Sequence, residues 1–222
     1  MIKHPELKNV ERKIAVCTLS GGLDSTVATA LIKKAGFNIK LLFFDWGQKT
    51  FKKELECVKA LSWYFKAPLT IVEIPIIKIL PKVGLTDKNS VTTGKDEYVP
   101  NRNAILETQA VALAEAIGAG IVTIGSNAGD LSTPDSSKAF IDQMQNLINQ
   151  GTLLKPSIQL IAPLIETDKA GAVKIGLELK IPFEHTWSCN NFTDKACGKC
   201  TNCLPRIKAF KDNNYEDPID YV

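Results

Sequence analysis

Ser20-Gly21-Gly22-Leu23-Asp24-Ser25-Thr26 is the stretch that decides the fold. It lies between an apolar run at 14–19, which reads as a buried strand, and a segment of helical character at 25–35 that stops at Gly36. Two adjacent glycines let the backbone turn tightly and bring amide hydrogens close to an anion. A helix starting at Asp24 or Ser25 adds the positive end of its dipole, while Ser20, Ser25 and Thr26 supply hydroxyl donors. Physically, the string is a phosphate cradle. The plainer alternative is a helix cap after a tight turn, with Asp24 or Ser25 as the cap; the complete string in a strand–loop–helix setting favours the cradle. It is not a Walker loop, because the nearest approach to G-x-x-x-x-G-K-[ST], from Gly171 to Gly176, is followed by Leu177. A G-x-G-x-x-G fingerprint is missing after the first strand as well.

Outward from the loop, strands and helices alternate. Residues 39–44 read as a second strand ending at Asp45-Trp46-Gly47, 51–65 as a helix, and 69–74 as a third strand that Pro75 terminates. Residues 103–117 form a strong helical pattern closed by Gly118, 121–125 a fourth strand, and 139–149 and 169–179 further helices. Such alternation predicts an α/β fold with a doubly wound parallel sheet. Two stretches without periodicity, 82–100 and 126–137, lie where lids belong, beyond the carboxyl ends of strands. For 82–100 a plain solvated loop is an equal alternative.

Composition bounds the answer. The 222 residues are 45% hydrophobic and 23% charged with a net charge of +3, which excludes a disordered tail, a collagen or a coiled coil and leaves room for one sizeable core. So mild a charge gives no footing for nucleic acid or an anionic membrane. The polar start, residues 1–13, leads into no signal-type apolar region, and no apolar stretch approaches the roughly 20 residues of a bilayer span. The expectation is a cytoplasmic protein with no membrane partner.

The six cysteines are unevenly spread. Cys17 and Cys57 stand alone and read as core or packing residues. Cys189, Cys197, Cys200 and Cys203 crowd one segment, and clustered cysteines in a cytosolic chain more often ligate metal than form disulfides. Four sulfurs match a closed tetrahedral zinc site of structural type, one ion per chain, because four protein ligands leave no open position. An iron–sulfur cluster competes, since sulfur ligands alone do not choose the metal. A catalytic triad finds no support: the two histidines are His4 and His185, and neither neighbours a nucleophile motif. His185 is expected to pack or to hydrogen-bond.

The loop resembles the PP-loop, S-G-G-x-D-S, of the ATP pyrophosphatases. That resemblance implies the Rossmann-like fold of the adenine nucleotide α-hydrolases. It also implies cleavage of ATP between the α and β phosphates, with adenylation of a carboxylate, amide or carbonyl oxygen and magnesium bridging the phosphates. Taken with the four cysteines, the chain resembles the 7-cyano-7-deazaguanine synthase (QueC) family nearly end to end. The matching strings are Leu19 to Thr26, Phe44-Asp-Trp-Gly-Gln48, Val99-Pro-Asn-Arg-Asn103, Ile124 to Asp130, Pro163 to Lys169, and Thr186-Trp-Ser-Cys189 through Cys203.

The family resemblance implies a reaction in which 7-carboxy-7-deazaguanine, ammonia and ATP yield the 7-cyano compound by way of an amide. It implies ATP contacts from Leu19, Ser20, Gly21, Gly22, Leu23, Asp24, Ser25, Thr26, Val27, Ala28 and Thr29, with Phe43 and Phe44 near adenine. Ser20, Asp24, Ser25, Arg102 and Lys169 would serve catalysis, and Arg102, Asn127, Asp130, Pro134 and Asp135 the acceptor. It further implies a homodimer that takes small-molecule substrates without stable nucleic-acid binding. Residues 1–185 would form the ATP-binding α/β domain, with 186–222 a zinc-binding segment packed on it.

Two departures stand out. The family's G-Y-P-D-C-R appears here as Ser132-Thr133-Pro134-Asp135-Ser136-Ser137, and its F-D-Y-G-Q-R-H as 44–50, ending Lys49-Thr50. An arginine fork lost from a substrate-side loop is not replaced by serines. A relative that adenylates a different carboxylate, in a modification or defence system, is therefore a second reading. A PP-loop tRNA thiolase is a third, disfavoured by the mild charge and by the absence of an RNA-binding appendage. A non-enzymatic nucleotide-binding module is disfavoured by the complete loop.

Overall fold

The computed structural model describes Leu7 and residues 10–80, 83–92, 94, 96–130, 133–191 and 194–222. His4, Lys82 and Ser132, with most of the polar start, lie outside the described residues.

Short runs of Ile, Val, Leu and Phe make five strands: β1 (Ile14–Thr18), β2 (Asn38–Asp45), β3 (Leu69–Glu73), β4 (Ile121–Thr123) and β5 (Gln159–Ile161). All pair in parallel, in the order β3-β2-β1-β4-β5. The helices are α1 (Leu23–Lys34), α2 (Phe51–Phe65), α3 (Arg102–Ala116), α4 (Lys138–Gly151), α5 (Lys169–Glu178) and α6 (Cys203–Asp212). The expected α/β doubly wound parallel sheet is present.

Successive strand residues point to opposite faces, and both faces are covered. Ala15 and Cys17 of β1 with Leu41 and Phe43 of β2 pack against Val27 and Ile32 of α1, Val58 and Leu61 of α2, Val173 of α5 and Phe210 of α6. Val16, Leu42, Phe44 and Val122 pack the other way, against Ala110 and Ala114 of α3 and Ile141, Met144 and Ile148 of α4. Each large apolar side chain buried this way contributes about 1.5–3 kcal/mol. Cys17 is wholly buried, as expected of a core residue.

This strand order puts the topological switch between β1 and β4, where connections depart to opposite sides. The crevice beyond their carboxyl ends is the binding place in such sheets.

Several boundaries differ from expectation. α1 starts at Leu23, and its N-cap is Gly22, with no side-chain cap; neither Asp24 nor Ser25 caps it. β4 stops at Thr123 rather than at 125, because the chain at Gly125 runs against the loop: a Cβ there would lie 2.7 Å from the Ser25 backbone nitrogen. β5 and α6 escaped the sequence pattern. β5 has three residues, too few to show a period, and α6 carries Pro205 and a mostly polar face. Cys203, Arg206, Ala209 and Phe210 are its buried residues. His185 is exposed rather than packed, since its short 3₁₀ turn spends its burial on Phe183 against Phe210.

Candidate active site

The loop after β1 is held by its own hydroxyls. The Ser20 and Ser25 Oγ atoms lie 3.0 Å apart, and the Gly22 N–H donates to Ser20 Oγ at 3.2 Å. The Thr26 hydroxyl donates to the Gly22 carbonyl at 2.7 Å; a hydroxyl in a first helical turn finds the carbonyl four residues back. Thr26 therefore shapes the loop rather than facing an anion, which corrects its expected role as a donor. Gly21 sits at φ +79°, and a Cβ on it would come within 3.0 Å of the Glu54 carbonyl oxygen. With no side chain capping α1, its first amides are left for a ligand, and the cradle fits a phosphate group.

Around the loop opens a cleft of about 370 Å³, within the range of small-molecule sites. Leu19, Ser20, Gly22, Asp24, Ser25, Phe43, Phe44, Arg102 and Asp130 line it, together with Trp46, Glu54, Leu106 and Glu107. The Lys169 ammonium donates to Asp24 Oδ2 at 2.5 Å, both side chains being three-quarters or more buried. Asp24 Oδ1 is buried without a partner. The Arg102 guanidinium stacks 4.9 Å over the Trp46 ring. Burial pulls it below the usual guanidinium range, opposed by Asp135, Glu54 and Asp130. Burial lifts Asp130 above the usual carboxylate range and Asp24 adds to this; the Asn127 N–H, Lys169 and Arg102 oppose it. Glu54 is lifted too by burial, although it accepts hydrogen bonds from Thr50 at 2.5 Å and Gln48 at 2.9 Å.

The four cysteine sulfurs converge as the spacing implied, all within 4.8 Å of one another. A tetrahedral ion about 2.3 Å from each sulfur needs separations near about 3.8 Å, and Cys197 and Cys203 stand 3.9 Å apart. Gly198, at φ +68°, makes the turn between ligands. The Cys197 N–H donates to Cys189 Sγ at 3.4 Å and Asn191 Nδ2 to Cys197 Sγ at 3.5 Å, the pattern of support that thiolate ligands need. Hydrogen bonding from Cys189 and Cys203 holds the Cys200 thiol far below its ordinary range. The cluster fits a thiophilic metal.

This knuckle is joined to the phosphate loop. The Trp187 N–H donates to the Gly21 carbonyl at 2.8 Å, and Trp187 and Cys57 share a small core with Cys189, Cys200 and Cys203. The segment 83–100 ties both sites together: Lys49 donates from Nζ to the Ser90 carbonyl at 2.8 Å, and Thr92 donates to Asn191 Oδ1 at 3.1 Å. Leu85 lines the cleft. Residues 85–92 are thus tethered to both sites rather than freely solvated.

The model of the family "Queuosine biosynthesis protein QueC" matches residues 14–214. The chain belongs to the QueC family. It is 40% identical to 7-cyano-7-deazaguanine synthase of Methanospirillum hungatei over 217 residues, covering 93% of this chain and 99% of that one. With the enzyme of the same name from Methanoculleus marisnigri it shares 41% over 221 residues, covering 94% and 99%. Among solved structures, NMN synthetase from Francisella tularensis superposes with a TM-score of 0.54 at 15% identity, covering 94% of this chain and 80% of that one; this is a likeness of fold.

Not every residue drawn from the QueC resemblance faces the cleft. Val27, Ala28 and Thr29 are buried along α1, and Leu23 lies in the core. Asn127 turns inward, its Oδ1 accepting from the Gly129 N–H at 2.7 Å. Asp135 is buried and accepts the Asn103 N–H at 2.9 Å, so it supports the start of α3; Pro134 leads the 3₁₀ turn before it. Glu54, Glu107 and Gly125 were not anticipated. Each sits on an element already recognised, but only proximity in space reveals it. No helix among the described residues is long and apolar enough to cross a membrane.

Proposed function

We propose that this QueC-family chain is an ATP-dependent carbon–nitrogen ligase. Its substrates are 7-carboxy-7-deazaguanine and ammonia, and its product is 7-cyano-7-deazaguanine, formed through activated carboxylate and amide. The observation that carries the reading is the Asp24–Lys169 pair at an uncapped helix start, with Asp24 and Arg102 lining one cleft. Residues Ser20 to Ser25 hold the departing pyrophosphate, and Lys169 balances its charge. Phe43 and Phe44 bound the adenine. Arg102 clamps a phosphate or the acceptor carboxylate with its fork, and Asp130 meets the acceptor side.

Asp24, with an unpartnered buried oxygen, and Asp130 are the residues for magnesium, a hard cation that takes carboxylate oxygens and offsets phosphate charge. The four cysteines hold one zinc ion, which fixes the fold of residues 186–222 on the ATP-binding part, 1–185. We further assign the protein to the cytoplasm, as a homodimer without stable nucleic-acid binding.

The test is incubation with 7-carboxy-7-deazaguanine, ammonium, ATP and magnesium, followed by mass spectrometry and pyrophosphate release. Amide and nitrile are expected. Folded protein that forms neither is instead the QueC-like relative acting on another carboxylate. Ser137, which stands where the family string has its arginine, is the feature that favours that second reading, because its hydroxyl caps α4, accepting from the Phe140 N–H at 3.1 Å, where a fork was expected.

A further inference from the structure

Besides Asp24 Oδ1, two acceptor atoms near the cleft lack any donor among the described residues. Glu107, one turn beyond Arg102 and Asn103 on α3, is 3% exposed and lines the cleft, yet its Oε2 is buried without a hydrogen bond. Asp135 is equally buried and its Oδ1 is likewise unpartnered; its Oδ2 is engaged by the Asn103 N–H. A sealed carboxylate oxygen left unpaired costs about 1–3 kcal/mol, more if charged. Such a group calls for a partner, a water, an ion or a ligand, or for a catalytic role.

What completes this pair must donate. Both side chains are acceptors when ionised and like charges repel, as the effect of Asp135 on Glu107 shows, so the partner is a compact cation with several N–H groups. No lysine or arginine pairs with Glu107 among the described residues. The proposed reaction consumes such a species. We propose that Glu107 and Asp135 form the ammonium site of this enzyme, with Glu107 as the base that frees the amine. This rests on the ligase reading given above.

The step balances simply. Ammonium gives one proton to the Glu107 carboxylate. The freed lone pair forms the C–N bond at the activated carbonyl carbon as the bond from that carbon to the AMP oxygen breaks. The second proton then leaves the nitrogen for solvent, giving amide and AMP. Burial and Asp135 raise Glu107 to about 8, close to what a base for ammonium needs.

Two measurements test it on the full chain, using Glu107→Gln, which keeps the shape. The first is thermal melting in ammonium chloride against sodium chloride at equal ionic strength, which reads the site whatever the acceptor is. Stabilisation specific to ammonium is expected in the native protein and absent in the variant. The second separates substrates: the KM for ammonium rises at least tenfold in the variant. Acceptor-dependent ATP–pyrophosphate exchange without ammonia keeps its KM values for ATP and acceptor within twofold. An unchanged KM for ammonium, or a rise confined to the acceptor, overturns the site. If exchange fails in native protein while ammonium still stabilises it through Glu107, the acceptor assignment falls and the ammonium site stands.

Discussion

The backbone N–H of Trp187 donates to the carbonyl of Gly21 at 2.8 Å, so the cysteine knuckle buttresses the phosphate loop directly. The Trp187 side chain continues the link, its Nε1 donating to the Cys189 carbonyl at 2.9 Å. Stripping metal with a chelator, or making Cys200→Ser, is expected to lower Tm by about 5–10 °C, since metal-binding energy there is folding energy. ATP–pyrophosphate exchange should weaken in parallel. Loss of metal with an unchanged KM for ATP would separate the two sites.

The Asp24–Lys169 pair predicts a different pattern. Asp24→Asn and Lys169→Ala should each cut pyrophosphate release by about 100-fold or more, the scale of a lost transition-state contact. Both side chains are partly solvated, so Tm should hold within a few degrees. Stopped-time pyrophosphate assays beside thermal melts check both halves.

Gly125→Ala tests the close approach between the chain after β4 and the loop. The new methyl would meet the Ser25 backbone at 2.7 Å, which neither segment can yield without moving. A destabilisation of about 1–3 kcal/mol is expected, together with a raised KM for ATP. Gly118→Ala, where a Cβ meets nothing within 4 Å, reports the cost of positive φ alone.

Arg206 is buried at 1% exposure with Asp217 at 6%, and it donates to both carboxylate oxygens at 2.8 and 2.9 Å. It also reaches Thr186 Oγ1 at 2.8 Å. Arg206→Met should cost about 3–5 kcal/mol, because Asp217 is left charged and sealed. The double variant Arg206→Met with Asp217→Leu should lose less than the single one, as urea unfolding would show.

Glu107 adds a pH signature to stability. With its pKa raised to about 8 in the folded state, from about 4.3 in an open chain, folding favours the protonated form. Its contribution is whole below about pH 4 and is lost as pH rises to 8, at up to about 1.4 kcal/mol per pH unit. Asp135 on the neighbouring turn adds to this, and among the described residues Glu107 has no cationic partner. Glu107→Gln should therefore gain on the native protein between pH 5 and 8 in denaturant titrations.

Much of this was legible in the residues themselves. The loop from Ser20 to Thr26 and the strand–helix alternation announced the sheet because local backbone chemistry and period suffice there. Phe51–Phe65 came out as read. The four cysteines did too, as their short spacing leaves few other arrangements. What stayed hidden depends on distant contacts. β5 is held by pairing with β4, the burial of α6 rests on Arg206 and Phe210, and Glu107 looks like any helix glutamate until the cleft closes around it. Gly22 as the cap was missed because a helix can begin on a bare backbone when the neighbouring glycine allows the turn.

The Trp187–Gly21 link also orders events during synthesis. The two residues are separated by nearly the whole length of the α/β core, and chains emerge from the ribosome N-terminus first. The phosphate loop is thus made early but stands without its brace until the cysteine knuckle has left the ribosome. A growing chain would gain its full grip on nucleotide late.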